Sequence, residues 1–236
     1  MSVPDARPAT DGLTTGLVLG IDTSVDVRAG LARDGVPIAR AGLTDTRAHA
    51  EQLMPVVQAL MTEAGIGWAD LDAVAVGLGP GPFTGLRVGV ATAQTIAFAI
   101  GVPWRGVCGL DVLAAQYLLD QKSYPLEHES ADFLTAVDAR RREVYWARHD
   151  SAGRRVDGPH VGRPDELPDL PVIGPGAPVV PGRPATDGPR LVDPALMAAR
   201  NFPDVGLEPL YLRRPDAQEP GQRKSTLPRL LPKVAP

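Results

Sequence analysis

Apolar and polar positions follow two rhythms along residues 17–149, one of strand length and one of helical period. Leu17-Val-Leu-Gly-Ile21 is an unbroken apolar run of strand length. It ends in Asp22, Thr23 and Ser24, residues that favour turns and caps. Val25–Ala32 and Val36–Leu43 flank Asp34-Gly35, a hairpin signal, so three antiparallel strands come first. Over 49–64 the apolar residues Leu53, Val57, Leu60, Met61 and Ala64 recur on one helical face. Pro55 predicts a late start or a bend in that helix, and Gly65 a stop. Leu71–Leu78 reads as a buried strand, Phe83–Ile100 as a long helix, Val102–Val107 as a strand and Gly109–Leu119 as a helix. Phe133–Val137 and Glu143–His149 read as two strands joined at Asp138–Arg142. The order βββαβαβα predicts a mixed five-stranded sheet, with right-handed crossovers placing helices on both faces.

Beyond residue 150 the pattern thins because proline accumulates. Eight prolines fall in residues 1–150 and seventeen in 151–236. Proline lacks the N–H and fixes φ, so long helices and central strands are excluded there. Only Val172-Ile173 and Ala195–Arg200 suggest a short strand and a short helix. The chain therefore divides into a disordered leader (1–16), an N-terminal lobe (17–120), a reduced C-terminal lobe (121–217) and a flexible basic tail (218–236).

Composition narrows the class. With 44% hydrophobic and 22% charged residues in 236, the chain is ordinary globular material. One cysteine, Cys108, excludes an intramolecular disulfide and points to a reducing compartment. No apolar run approaches a membrane span of about 20 residues and no signal peptide opens the chain, so a cytoplasmic location with no membrane partner is expected. Net charge is −4, but residues 213–236 hold six basic against two acidic side chains. Such a tail could touch RNA, though it is more often simply solvated.

Candidate chemistry is sparse. Gly79-Pro-Gly-Pro-Phe-Thr84-Gly85 stands between a strand and a helix, where backbone N–H groups can hold an anion. It is neither a Walker A loop nor an in-register G-x-G-x-x-G, and a tight turn explains it as well. Asp22 and Thr23, with Gly79, Gly81 and Thr84, form a weak nucleotide-binding set. Gly85, Gly89, Ala93 and Ala97 recur every four residues, a stripe that lets another backbone approach. That backbone belongs either to the chain's own sheet or to a partner helix. Asp138 and Arg140 are charged turn residues that read as solvated. No two of His49, His128, His149 and His160 are spaced as a helical metal pair, and no catalytic set is recognisable. Cys108 reads as a buried apolar residue.

The motifs LGIDTS (19–24), HAEQLMP (49–55), VAVGLGPGPFTGLRVG (74–89) and FLTAVDARRREVYWARH (133–149), in this order, resemble the TsaB (YeaZ) family, and PLYLRRPDA (209–217) resembles its terminal segment. The resemblance implies an α/β fold of the ASKHA type (actin, sugar kinase, Hsp70-like) with two lobes. It implies a part in forming N6-threonylcarbamoyladenosine at adenosine 37 of tRNA. In that family the chemistry belongs to a paralogue, TsaD, which pairs with TsaB through N-terminal-lobe helices, and an ATPase, TsaE, joins them.

TsaD carries two metal-binding histidines four residues apart, and the resemblance lays them on Gly109 and Leu113. Neither side chain can bind a metal, which implies a subunit with no metal and no catalytic residues of its own. ATP would then enter only at the level of the complex, and tRNA would be met indirectly. The expected partner surface is Gly85, Gly89, Val90, Ala93 and Ala97 with Leu53 and Val57, which could also form a homodimer. Arg142 stands where the family commonly has glycine, implying a different hairpin turn. Two rivals remain: an ASKHA phosphotransferase or glycoprotease-like peptidase using Asp22, Gly79–Thr84 and His49, and direct tRNA binding by the tail.

Overall fold

The computed structural model describes residues 14–44, 49–121, 132–182 and 188–213. The leader up to residue 13 and the tail 218–236 lie outside the described residues. The N-terminal strands are β1 (Leu17–Asp22), β2 (Val27–Arg33), β3 (Val36–Leu43), β4 (Ala73–Gly77) and β5 (Trp104–Val107). They form one sheet in the order β3-β2-β1-β4-β5. The β1–β2 and β2–β3 pairs are antiparallel, and β1–β4 and β4–β5 are parallel. This is the mixed five-stranded sheet expected from the element order, and the fold is of the ASKHA type. Asp34 (φ 49°) and Gly35 (φ 76°) turn β2 into β3 with both central residues left-handed, which matches strand twist.

The central strands have two faces of different grain. Leu17, Leu19 and Ile21 of β1, with Val74 and Val76 of β4, face α1 (His49–Glu63) and α2 (Phe83–Ile100). Val18, Ala73 and Ala75 face the other way, with Met197, Ala198 and Ala199 of the short helix α4 (Pro194–Ala199). Large residues therefore fill one layer, and small ones let α4 settle close to the strands on the other. Both faces being covered explains why these strands read as continuous apolar runs rather than alternating ones.

α1 runs through Pro55 rather than starting after it; the proline is exposed on the outer side. α2 has the expected bounds and ends at Gly101, whose left-handed φ of 73° lets its N–H reach the carbonyl of Ala97. By length and composition α2 could cross a membrane, but seven of its residues are buried within this chain.

α3 (Gly109–Gln121) bridges to a second sheet of β6 (Phe133–Asp138), β7 (Val144–His149), β8 (Arg155–Gly162) and β9 (Val172–Ile173), ordered β8-β7-β6-β9. β8 was not expected, because it contains Gly158 and Pro159. It is an edge strand, with its register shifted against β7, so the missing proline donor breaks no inner ladder.

Candidate functional site

The end of β1, the Gly79–Gly81 loop and the start of α2 meet. Asp22, Thr23 and Ser24 are 2%, 1% and 3% exposed, so this is a buried junction rather than an open turn. Ser24 donates its N–H (3.1 Å) and its hydroxyl (2.7 Å) to Asp22 Oδ1. Thr23 Oγ1 donates to the carbonyl of Gly85 at 2.8 Å, tying β1 to the first turn of α2. A Cβ on Gly81 would lie 2.9 Å from the Ser24 carbonyl oxygen, and one on Gly89 would overlap Thr23 Oγ1. Asp22 Oδ2 has no hydrogen-bond partner, and burial pushes the carboxyl up to about 6 despite the two bonds from Ser24. Of the five residues in the nucleotide-binding set, Thr84 is exposed, while Asp22, Thr23, Gly79 and Gly81 are packed against neighbouring elements. The side chain of His49 lies outside the described residues.

The expected partner surface needs correcting. Gly85, Gly89, Val90, Ala93 and Ala97 of α2 are buried, as are Leu53 and Val57 of α1. They form the inner face of the two helices: Leu53, Val57, Val90, Ala93 and Ala97 join the core with β1 and β4. The small-residue stripe exists because the end of β1 comes close to it: Thr23 stands over Gly85 and Gly89. Four-residue spacing defines a stripe but not which way it points. The hydroxyl of Thr23 takes the place of the foreign helix.

The other side of α2 carries Ala91, Thr95, Phe98 and Ala99, all exposed, with Phe98 at 55%. Ala91, Thr95 and Ala99, together with Met54 of α1 and Trp68 in the following 3-10 turn, line an apolar groove of about 610 Å³, and Phe98 stands outside its lining.

At the positions that resemblance aligned with metal ligands, Gly109 opens α3 and Leu113 is fully buried. Cys108 just before them is buried too, and desolvation pushes its thiol up to about 12, so it sits as an apolar core residue. Asp111 on α3 accepts from Arg155 Nε at 2.9 Å and lies 3.1 Å from His149 Nε2, fastening α3 to β7 and β8.

A second hollow, about 210 Å³, opens between the start of α2 and the β6–β7 turn. Gly81, Phe83, Tyr145 and Tyr211 meet Arg140, Arg141 and Arg213 there. The aromatic side of this hollow is absent from the sequence reading, because Phe83 and Tyr211 lie 128 positions apart. The FTGLR and PLYLRRPDA segments that carry them were legible only as separate motifs.

Known proteins resemble this chain along most of its length. The family model described as TsaD, tRNA N6-adenosine threonylcarbamoyltransferase, matches residues 44–209. An uncharacterized protein of Mycobacterium tuberculosis is 43% identical over 217 residues, covering 85% of this chain and 93% of the relative. The tRNA threonylcarbamoyladenosine biosynthesis protein TsaB of Escherichia coli is 35% identical over 133 residues, 56% of this chain and 54% of that protein. The solved structure of YeaZ from Pseudomonas aeruginosa superposes with a TM-score of 0.64 at 28% identity, covering 78% of this chain and 90% of that one.

Proposed function

Since this chain belongs to the TsaD family of tRNA N6-adenosine threonylcarbamoyltransferases and is TsaB/YeaZ-like within it, we propose that it serves threonylcarbamoyladenosine formation in tRNA as a non-catalytic subunit pairing with a TsaD-type transferase. The observation that carries this reading is the outer face of α2. Ala91, Thr95 and Ala99 are small or short, so a second helix can come close along them. Phe98, 55% exposed, supplies a large apolar anchor that water does not favour. The groove shared with Met54 and Trp68 lets a partner helix lie between α1 and α2.

The positions Gly109 and Leu113 support the non-catalytic half. A glycine and a buried leucine offer no ligand atom, so the reacting metal belongs to the partner. In this reading ATP and a TsaE-type ATPase act on the assembled complex, and the whole works in the cytoplasm. Without its partner the same face pairs with a second copy of the chain.

The test is co-elution with the cognate TsaD in size-exclusion chromatography at micromolar concentration. The natural chain shifts the partner peak. Thr95→Arg and Ala99→Glu abolish the shift while thermal unfolding stays unchanged, because both positions are exposed in the free chain. Absence of a shift with the natural chain overturns the reading.

A further inference from the structure

The β6–β7 turn carries three consecutive arginines that pairing through α2 does not use. Arg140, Arg141 and Arg142 are exposed, and their φ angles of 63°, 56° and 63° are all left-handed. The turn is closed by the Ala139 N–H on the Glu143 carbonyl (3.0 Å) and the Glu143 N–H on the Arg140 carbonyl (3.1 Å). Arg213 braces it from the far end of the described chain: Nη1 donates to the Ala139 carbonyl at 3.0 Å, and Nη2 pairs with Glu143. The arginines are thus presented on a held turn rather than a loose one.

Hollows flank this turn on both sides. The 210 Å³ hollow and a wider one of about 720 Å³ share Asp138, Arg140 and Arg141. The wider one continues to Arg142 and Arg163. On the narrow side stands an aromatic pair. Phe83 and Tyr211 have ring centroids 4.9 Å apart and are 37% and 41% exposed. The guanidinium of Arg87 lies 5.1 Å from the Phe83 centroid.

Exposed rings next to an arginine track suit single-stranded RNA, with bases stacking on rings and guanidinium groups meeting phosphates. Acidic side chains temper the track. Arg140 is 3.7 Å from Asp138, Arg163 is 3.1 Å from Asp165, and Arg213 holds Glu143. Five arginines against three carboxylates still leave a surplus of two positive charges. The Arg140–Asp138 and Arg163–Asp165 pairs are exposed and weak, and a phosphate offers those arginines a bidentate alternative, whereas Arg213 stays with Glu143 as the brace of the turn.

We propose that this face binds a single-stranded RNA segment, with a base stacked on Tyr211 and phosphates running along Arg140, Arg141 and Arg142. Two hollows that adjoin at Asp138, Arg140 and Arg141 favour a strand over a lone nucleotide. The two hollows share no lining residue with the groove along Ala91, Thr95 and Ala99, so the isolated chain binds RNA without its partner, and the proposal stands or falls apart from the pairing reading.

The experiment is fluorescence anisotropy of the full chain with a labelled, unstructured 12-nucleotide RNA, with ATP and heparin as separate probes. The expected result is RNA binding whose log K falls against log salt with a slope of about −2, three phosphates at about 0.7 each. Arg140→Ser/Arg141→Ser/Arg142→Ser weakens binding at least tenfold and flattens that slope, with the basic tail still present. Tyr211→Ala weakens it about fivefold to a hundredfold at unchanged slope, since it removes stacking and no charge. A melting curve checks that each variant folds, and co-elution with TsaD persists in all of them. No RNA binding, ATP binding in its place, full binding by the triple variant, or equal binding of heparin and RNA with Tyr211→Ala indifferent each overturns the proposal.

Discussion

The carbonyl oxygen of Pro194 occupies the place that a side chain on Gly20 would need. Gly20 on β1 is paired directly with Gly30 on β2, and a Cβ there would overlap the backbone of Ala195. A pair of glycines side by side in the sheet is what lets α4 lie with its backbone against the strands. Gly20→Ala therefore forces α4 outward, an overpacking that costs about 2–3 kcal/mol. Urea unfolding checks this: the midpoint falls, and amides of residues 194–200 lose hydrogen-exchange protection before the β1 amides do. A variant as stable as the natural chain would show that α4 does not rest there.

Arg105 fixes the other end of the same helix. From β5 its Nη2 donates to the carbonyls of Met197 (2.8 Å) and Arg200 (2.7 Å). Burial brings the guanidinium down to about 10, still protonated at neutral pH. Arg105→Met keeps the volume and removes the donors, leaving helix-end carbonyls unpaired in a buried place at about 2–3 kcal/mol. The loss is local, so exchange near 197–200 rises more than elsewhere, whereas a uniform rise would mean that Arg105 serves the sheet as a whole.

These two contacts mark where the sequence stops being legible. The N-terminal elements carry local signals: an Asp-Gly hairpin, an 18-residue helix between the GPGP turn and Gly101, apolar strand runs. Position along the chain was enough to order them. α4 was visible as a short helix, but its seat on β1 and β2 depends on glycines at 20 and 30, about 170 residues away. Nothing periodic links them. β8 was lost because Pro159 argues against a strand, and only edge placement makes it tolerable. The small-residue stripe of α2 was found, yet its direction depends on Thr23, whose role is a contact over 62 positions. The arginine turn read as solvated because Phe83 lies well before it and Tyr211 well after it in the chain, and no local signal joins the three.

Asp22 gives a pH signature. Its carboxyl is raised from 3.8 to about 6 by burial, so between those values the folded chain binds more protons than the unfolded one. The stability this group contributes is complete below about pH 4 and is lost as pH rises through about 6. Asp22→Asn keeps the oxygen that accepts from Ser24 and cannot ionise. Relative to that variant, the natural chain should lose up to about 3 kcal/mol between pH 4 and pH 7. Parallel unfolding series of the two proteins isolate the difference from all other carboxylates; parallel curves would mean Asp22 titrates as an exposed residue does.

The two faces of α2 should respond oppositely to bulk. Gly89 sits beneath Thr23, so Gly89→Leu collides with Thr23 Oγ1 and prises the helix from β1. A loss of about 3 kcal/mol or more is expected, together with the hydrogen bond to Gly85. Ala91→Leu, two residues on and exposed, changes stability by less than about 0.5 kcal/mol. Circular-dichroism melts distinguish the two, and equal losses would contradict the inward direction of the stripe.

Arg142 has the backbone of a glycine. Its φ of 63° follows two other left-handed arginines, and each such L residue costs about 1–2 kcal/mol. Glycine relieves that strain but adds freedom to the unfolded chain, which takes back about 0.5–1 kcal/mol. Arg142→Gly should therefore stabilise the protein by about 0.5–1 kcal/mol, raising the urea midpoint with the slope unchanged. The same variant removes one charge from the turn, so the salt dependence of RNA binding should become shallower by about 0.7. Gain of stability with loss of binding means the strained arginine is kept for what it contacts. A destabilised Arg142→Gly would instead show that the side chain holds the turn, and the left-handed backbone would need another cause.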